Sequence, residues 1–218
     1  MNQAVIFDMD GTLFQTNQVL ESALEETFEY LRKNGQWEGE TPLKEYQNIM
    51  GVPLPEVWET LLPKQNKETQ KKVDQLFLAN LVKSIEKGKG ALYSGTENLL
   101  KDLHDQGYDI FIASNGLVDY LDSIVSYYQL NRWVKGVYSI ELISSNNKSD
   151  LVEKIIEENK VTSGAVVGDR LSDIRAAKDN GLVAIGCSFD FSKPEEMKKA
   201  DYVITSLNEL TGTLALKY

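Results

Sequence analysis

Apolar residues run almost unbroken from Ala4 through Phe7, then give way to Asp8 and Asp10 just before Gly11. A short run of strand formers ending at a glycine predicts a buried strand of a parallel sheet covered on both faces. The spacing then changes. Leu20, Leu24, Phe28 and Leu31 recur at helical intervals, as do Val73, Phe77 and Leu81, with turns near Gly35–Gly39 and Pro53–Pro55. No strand pattern occurs between Gln15 and Lys87, and roughly 70 residues are too many for a simple loop, so this segment is expected to be a helical module.

From Gly88 onward helix and strand alternate. Helices are expected near Thr96–Gln106, Val118–Tyr128 and Asp150–Asn159, with strands at Tyr108–Ser114, Gly136–Ser139 and "AVVGD". A further helix ends at Asn180-Gly181, "LVAIGC" and "YVIT" supply two more strands, and Leu207, Leu210 and Leu214 suggest a closing helix. This is the alternation of an α/β fold with a doubly wound parallel sheet. The expected division is a core of residues 1–14 and 88–218 carrying an all-helical insert of residues 15–87.

Composition narrows the function classes. The 218 residues carry a net charge of −10, which argues against a nucleic-acid backbone or an anionic membrane as partner. A single cysteine, Cys187, rules out an intramolecular disulfide framework and reads as a buried, inert thiol. No apolar run approaches membrane-spanning length, and the N-terminus lacks a secretory pattern, so a soluble, cytoplasmic protein is expected.

In a doubly wound sheet, ligands bind beyond the carboxyl ends of the strands. Four polar clusters fall there. The first strand leads to Asp8 and Asp10, which strand geometry would point to one side, two residues apart. A second strand ends in Ser114 with Asn115-Gly116. "AVVGD" ends in Asp169, with Asp173 in the first turn of the next helix, and Lys148 lies in the loop before another helix. Taken singly, each has a plainer reading as a turn, a helix cap or a solvated charge. Together, converging carboxylates call for a divalent cation. Their all-oxygen chemistry, with no histidine or cysteine, points to Mg²⁺. The hydroxyl, the helix-start N–H groups and the lysine suit a phosphoryl group.

"DMDGTL", "ASN" after a strand, an isolated lysine, and "GDRLSDIRAAKDNG" resemble the four motifs of the haloacid dehalogenase superfamily, in order, within its phosphatase branch. "IMGVPLPEVWETLLP" is similar to a helical-cap segment of phosphoglycolate phosphatase-like members. The resemblance implies a phosphatase acting on a small phosphorylated metabolite through an aspartyl phosphate. It makes Asp8 the nucleophile and Asp10 the general acid and then base, with Thr12 positioning their loop. Ser114 and the Asn115 backbone would hold phosphate oxygens, and Lys148 would neutralise the transferring group. Asp8, the Asp10 main-chain carbonyl and Asp169 would ligate Mg²⁺, with Asp173 acting through a water or as a support behind the ligands.

Gln15, Ser149 and Arg170 depart from the pattern, standing where an acid, a proline and a serine are common. Rival readings remain. A sugar phosphomutase would want a histidine early in the cap, where Leu20 stands. A phosphonatase would want a cap lysine near Gly51, and a dehalogenase needs no acid at Asp10. A phosphoacceptor of receiver type would lack the helical insert. Trp37, Tyr46, Trp58 and Arg32 are read as the insert's own core and surface, His104 as a surface residue, and "IMGVPL" as the part of the insert that faces the site.

Overall fold

The computed structural model describes residues 2–49, 52, 54–190 and 192–215. Six strands form one parallel sheet: β1 (Gln3–Phe7), β4 (Asp109–Ser114), β5 (Gly136–Ser139), β6 (Ser163–Gly168), β7 (Val183–Cys187) and β8 (Tyr202–Ile204). Their spatial order is β5-β4-β1-β6-β7-β8. The direction of winding therefore reverses at β1, between β4 and β6, which is where such sheets open a crevice.

The strands read as continuous apolar runs because both faces are covered. Ala4, Ile6, Phe111, Ala113, Val166 and Ala184 pack on one side with Leu151, Ile155 and Ile174 from α7 (Lys148–Asn159) and α8 (Leu171–Asp179). Val5, Phe7, Ile110, Ile112, Ala165 and Val167 alternate onto the other side. There they meet α5 (Thr96–Asp105), α6 (Val118–Tyr127) and α10 (Leu210–Ala215) through Leu100, Leu121 and Leu210. Cys187 is fully buried, as its apolar setting predicted, and His104 is exposed on α5. The short α9 (Pro194–Met197) packs on α8, with Met197 beside Gly186 of β7.

Between β1 and β4 the chain departs from the sequence reading in one respect. Phe14–Gln15 and Ala91–Leu92 form β2 and β3, a two-stranded antiparallel pair. Two-residue strands carry no periodicity, so the pattern could not show them. Gln15 adds a side-chain bond to the Leu92 carbonyl at 2.9 Å.

The segment between this pair holds four helices among the described residues: α1 (Asn17–Lys33), α2 (Leu43–Asn48), α3 (Leu54–Leu61) and α4 (Lys67–Glu86). Helices α1 and α4 pack lengthwise, and Asn80 donates to Thr27 across their buried seam at 3.2 Å. Trp58 is fully buried against Phe77, and Trp37 packs edge-on against Phe28. Arg32 pairs with Glu25. Helix α4 also packs on α6, across the crevice edge.

Candidate active site

Strand β1 ends at Phe7, one residue earlier than the two-apart geometry required. Asp8 still donates its N–H to the Val167 carbonyl at 2.9 Å. The chain then coils, with the Met9 carbonyl accepting from Leu13 and Phe14. Asp8 and Asp10 consequently leave the strand on a turn, and their side chains find different partners. Gly11 makes the coil possible at φ +72°, where a Cβ would lie 2.5 Å from Asp169 Oδ2.

Asp8 belongs to a buried ionic group. Lys148 Nζ lies 2.8 Å from Asp8 Oδ1 and 2.5 Å from Asp173 Oδ1, with all three side chains nearly inaccessible. Lys148 is the first residue of α7 and not a loop residue, as the sequence suggested. Asn147 caps that helix by accepting from the Ser149 N–H at 3.0 Å, and the cap directs the next side chain inward. Ser149 fills its unusual position by donating to Asp179 at 2.6 Å. Asp173 serves twice, since its Oδ2 also accepts from the Arg170 N–H at 2.9 Å at the start of α8. Arg170 in turn reaches Glu196 at 3.3 Å, and Glu196 accepts from the Leu171 N–H at 2.8 Å.

Asp169 follows β6 directly. Its carboxylate lies with those of Asp8 and Asp173 so that one oxygen of each falls within 4.8 Å of the others. Asp169 Oδ1 is buried and accepts no hydrogen bond. Burial pushes Asp8 up to about 7, although Lys148 pulls against it. Burial, then Asp8 and Asp173, hold Asp169 well above the carboxylate range. Burial alone would lower the Lys148 pKa, but Asp173 and Asp8 hold it above the ordinary value. An all-oxygen group of this kind, with one orphaned buried oxygen, fits a hard divalent cation.

Asp10 stands apart from that group. Thr16 and Tyr120 both donate to its Oδ1, each at 2.5 Å. Burial raises its pKa while these two donors lower it, with a net shift upward. Neither donor was singled out from the sequence. Tyr120 sits inside the amphipathic pattern of α6, 110 residues from Asp10, so only the fold reveals it. Ser114 ends β4, buried, with its Oγ accepting from the Gly116 N–H at 3.0 Å. Asn115 lines a cleft that also holds Asp10. Thr12 is wholly buried and its Oγ1 has no hydrogen-bond partner.

That cleft, about 530 Å³ including its open mouth, lies between α6 and the helices that precede β3. Val52 and Leu54 line it, in the segment expected to face the site. Met50, Gly51 and Pro53 lie outside the described residues. Tyr46, read as core, is buried and also lines this cleft.

A doubly wound parallel sheet with buried acids at its central strand ends defines an α/β fold with its candidate site at the switch point. Residues 5–187 match the family model described as haloacid dehalogenase-like hydrolase, and the chain belongs to that family. The resemblance drawn from the four motifs is borne out, and a receiver module is set aside. A 5'-nucleotidase of Pseudomonas aeruginosa is 20% identical, over 89% of this chain and 86% of the relative. The pyrophosphatase PpaX of Halalkalibacterium halodurans is 22% identical, over 98% and 97%. Among solved structures, a predicted phosphoglycolate phosphatase of Haemophilus somnus superposes with a TM-score of 0.84 at 14% identity, covering 98% of each chain.

Proposed function

We propose that this chain is a Mg²⁺-dependent phosphatase of small phosphomonoesters that works through an aspartyl phosphate on Asp8. The observation that carries the reading is the buried contact of Lys148 with Asp8 and Asp173, beside an Asp169 oxygen without a partner. Asp8, Asp169 and the Asp10 main-chain carbonyl would hold the ion, with Asp173 supporting through a water and through Lys148. A bound Mg²⁺ supplies charge neutralisation and orientation for phosphoryl oxygens.

In the first step an Asp8 oxygen attacks phosphorus and the bond to the ester oxygen breaks. That oxygen takes a proton from Asp10, whose pKa burial moves upward, the direction a general acid needs. Lys148 offsets charge on the transferring group, and Ser114 with the Asn115 N–H receives its other oxygens. In the second step water attacks the phosphorus of the acyl phosphate while Asp10 takes the water's proton. Asp8 departs as carboxylate and phosphate is released. Thr12 supports the turn that carries both acids.

Residues 15–87 act in this reading as a cap over the strand ends, hinged at Gln15–Thr16 and Gly88–Gly90. No helix among the described residues is long and apolar enough to cross a membrane. Phosphate release from a panel of phosphomonoesters, with Mg²⁺ and with EDTA, tests the proposal. Chelation is expected to abolish turnover, and Asp8→Asn to abolish both turnover and any hydroxylamine-sensitive phosphoryl adduct. Activity that survives EDTA, or an adduct on Asp8→Asn, would overturn it.

A further inference from the structure

Resting on the phosphatase reading, we infer that the alcohol released from the substrate is uncharged and predominantly apolar. The leaving oxygen has to meet Asp10, because Asp10 protonates it. Asp10 lies in the wall of the cleft between α6 and the cap helices. Whatever is bonded to that oxygen therefore occupies this cleft.

The cleft's chemistry is one-sided. Leu20, Leu54, Leu78 and Leu81, with Phe77 and Leu117, supply most of its wall. Its polar groups are Asp10, Thr16, Tyr46, Asn115 and Tyr120, so the wall bears hydroxyls, an amide and one acid. Among the described residues that line it there is no lysine or arginine. The cation nearest the chemistry, Lys148, is held between Asp8 and Asp173. Arg32, in the same insert, is paired with Glu25 and lines a different hollow, with Glu21 and Glu40.

A carboxylate or a second phosphate brought into such a wall would lose hydration and gain no countercharge, and would lie beside Asp10 as well. An apolar or aromatic group loses nothing there and gains contact area. Tyr120 and Thr16 are already donating to Asp10, and the Tyr46 hydroxyl carries no charge, so the cleft's hydroxyls do not replace a missing cation. Phosphoglycolate, pyrophosphate and sugar bisphosphates are accordingly poor substrates. Monoesters of neutral, largely apolar alcohols are good ones.

The experiment compares kcat/KM of the wild-type protein with Mg²⁺ for esters of similar leaving ability. Benzyl phosphate is set against phosphoglycolate, and nucleoside 5'-monophosphates against a sugar bisphosphate whose reacting group is likewise a primary ester. The neutral member of each pair is expected to lead by at least about tenfold, the low end of the penalty for burying a polar group without a partner. Leu78→Arg and Leu54→Arg, each checked for an unchanged melting profile, place a cation in the wall and are expected to narrow the ratio. Equal or reversed preference in the wild type overturns the inference while leaving the phosphatase reading standing. Absence of turnover for every ester, p-nitrophenyl phosphate included, overturns both.

Discussion

Lys148→Met removes the ammonium that touches Asp8 and Asp173 and leaves an unbranched apolar chain in its place. Both ion pairs are buried, at 2.8 and 2.5 Å. Taking one partner from a buried pair costs about 3–5 kcal/mol. A stranded carboxylate can limit that cost by binding a proton. Asp8 is pushed up to about 7 by burial even with Lys148 pulling it down, so without the lysine it rises further. The sign follows from linkage. A carboxyl whose folded pKa exceeds its unfolded value binds its proton more tightly when folded, so it favours folding at low pH. That contribution fades as pH rises through the folded pKa. Below about pH 6 Asp8 is protonated in both proteins. Above about pH 7 it is ionised only in the wild type, and the stability gap widens by up to about 1.4 kcal/mol per pH unit until the variant ionises too. Urea unfolding in EDTA across this range is the assay. A loss near 3–5 kcal/mol is expected at about pH 8. A gap below about 1 kcal/mol there, or one that narrows as pH rises, would refute the account of Lys148 as the counterion of a buried acid pair.

Asp10→Asn should lower kcat by about 10²–10⁴ for alkyl phosphates, and far less for p-nitrophenyl phosphate, whose departing oxygen hardly needs a proton. Tyr120→Phe removes one of two donors to Asp10 and should cost about 3- to 30-fold in kcat with the same leaving-group dependence; equal losses for both esters would make Tyr120 merely structural. Gly11→Ala, which sets a Cβ 2.5 Å from Asp169 Oδ2 at φ +72°, should lose about 1–2 kcal/mol from the backbone alone and also weaken Mg²⁺ binding by calorimetry. Gly181→Ala, at φ +67° with nothing within 4 Å, should share the first loss and not the second. Saturating Mg²⁺ should raise the melting temperature more at about pH 8 than at about pH 6, because Asp8 and Asp169 are both raised and must shed protons to bind it; a gain independent of pH would show other ligands.

Much of the fold was legible because a covered parallel sheet writes itself as apolar runs. Ala4–Phe7 read as a strand since alternate residues bury on opposite faces, and Gly181 marked the end of α8 with a positive φ. The same logic located Asp8, Asp169 and Asp173, which the structure brings together. What stayed hidden is instructive. Strand geometry implied that Asp8 and Asp10 share a direction, yet the turn at Met9–Phe14 separates the carboxylate in the ionic cluster from the one held by hydroxyls. The resemblance assigns Lys148 to the site but the pattern places it in a loop, whereas it opens α7, where the cap at Asn147 turns it inward. Tyr120 could not be found from periodicity, which says that a tyrosine on α6 is buried but not that its hydroxyl meets an acid.

The departures from the family pattern are explained in the same terms. Ser149 and Arg170 stand beside Lys148 and Asp169 and so look functional, but each is occupied with structure. Ser149 ties α7 to Asp179 of α8 at 2.6 Å, and Arg170 reaches α9 through Glu196. Both ties fix the helix starts from which Lys148 and Asp173 reach the crevice. The proposed site then has a definite charge balance. Three carboxylates face one ammonium, a formal excess of two negative charges when all are ionised. A second lysine would leave one charge over, whereas one divalent cation cancels both. Only a crevice so neutralised can receive a doubly negative phosphoryl group without repelling it. The orphaned oxygen of Asp169 and the single lysine shared by Asp8 and Asp173 therefore support the same proposed requirement, one dication to offset the carboxylates.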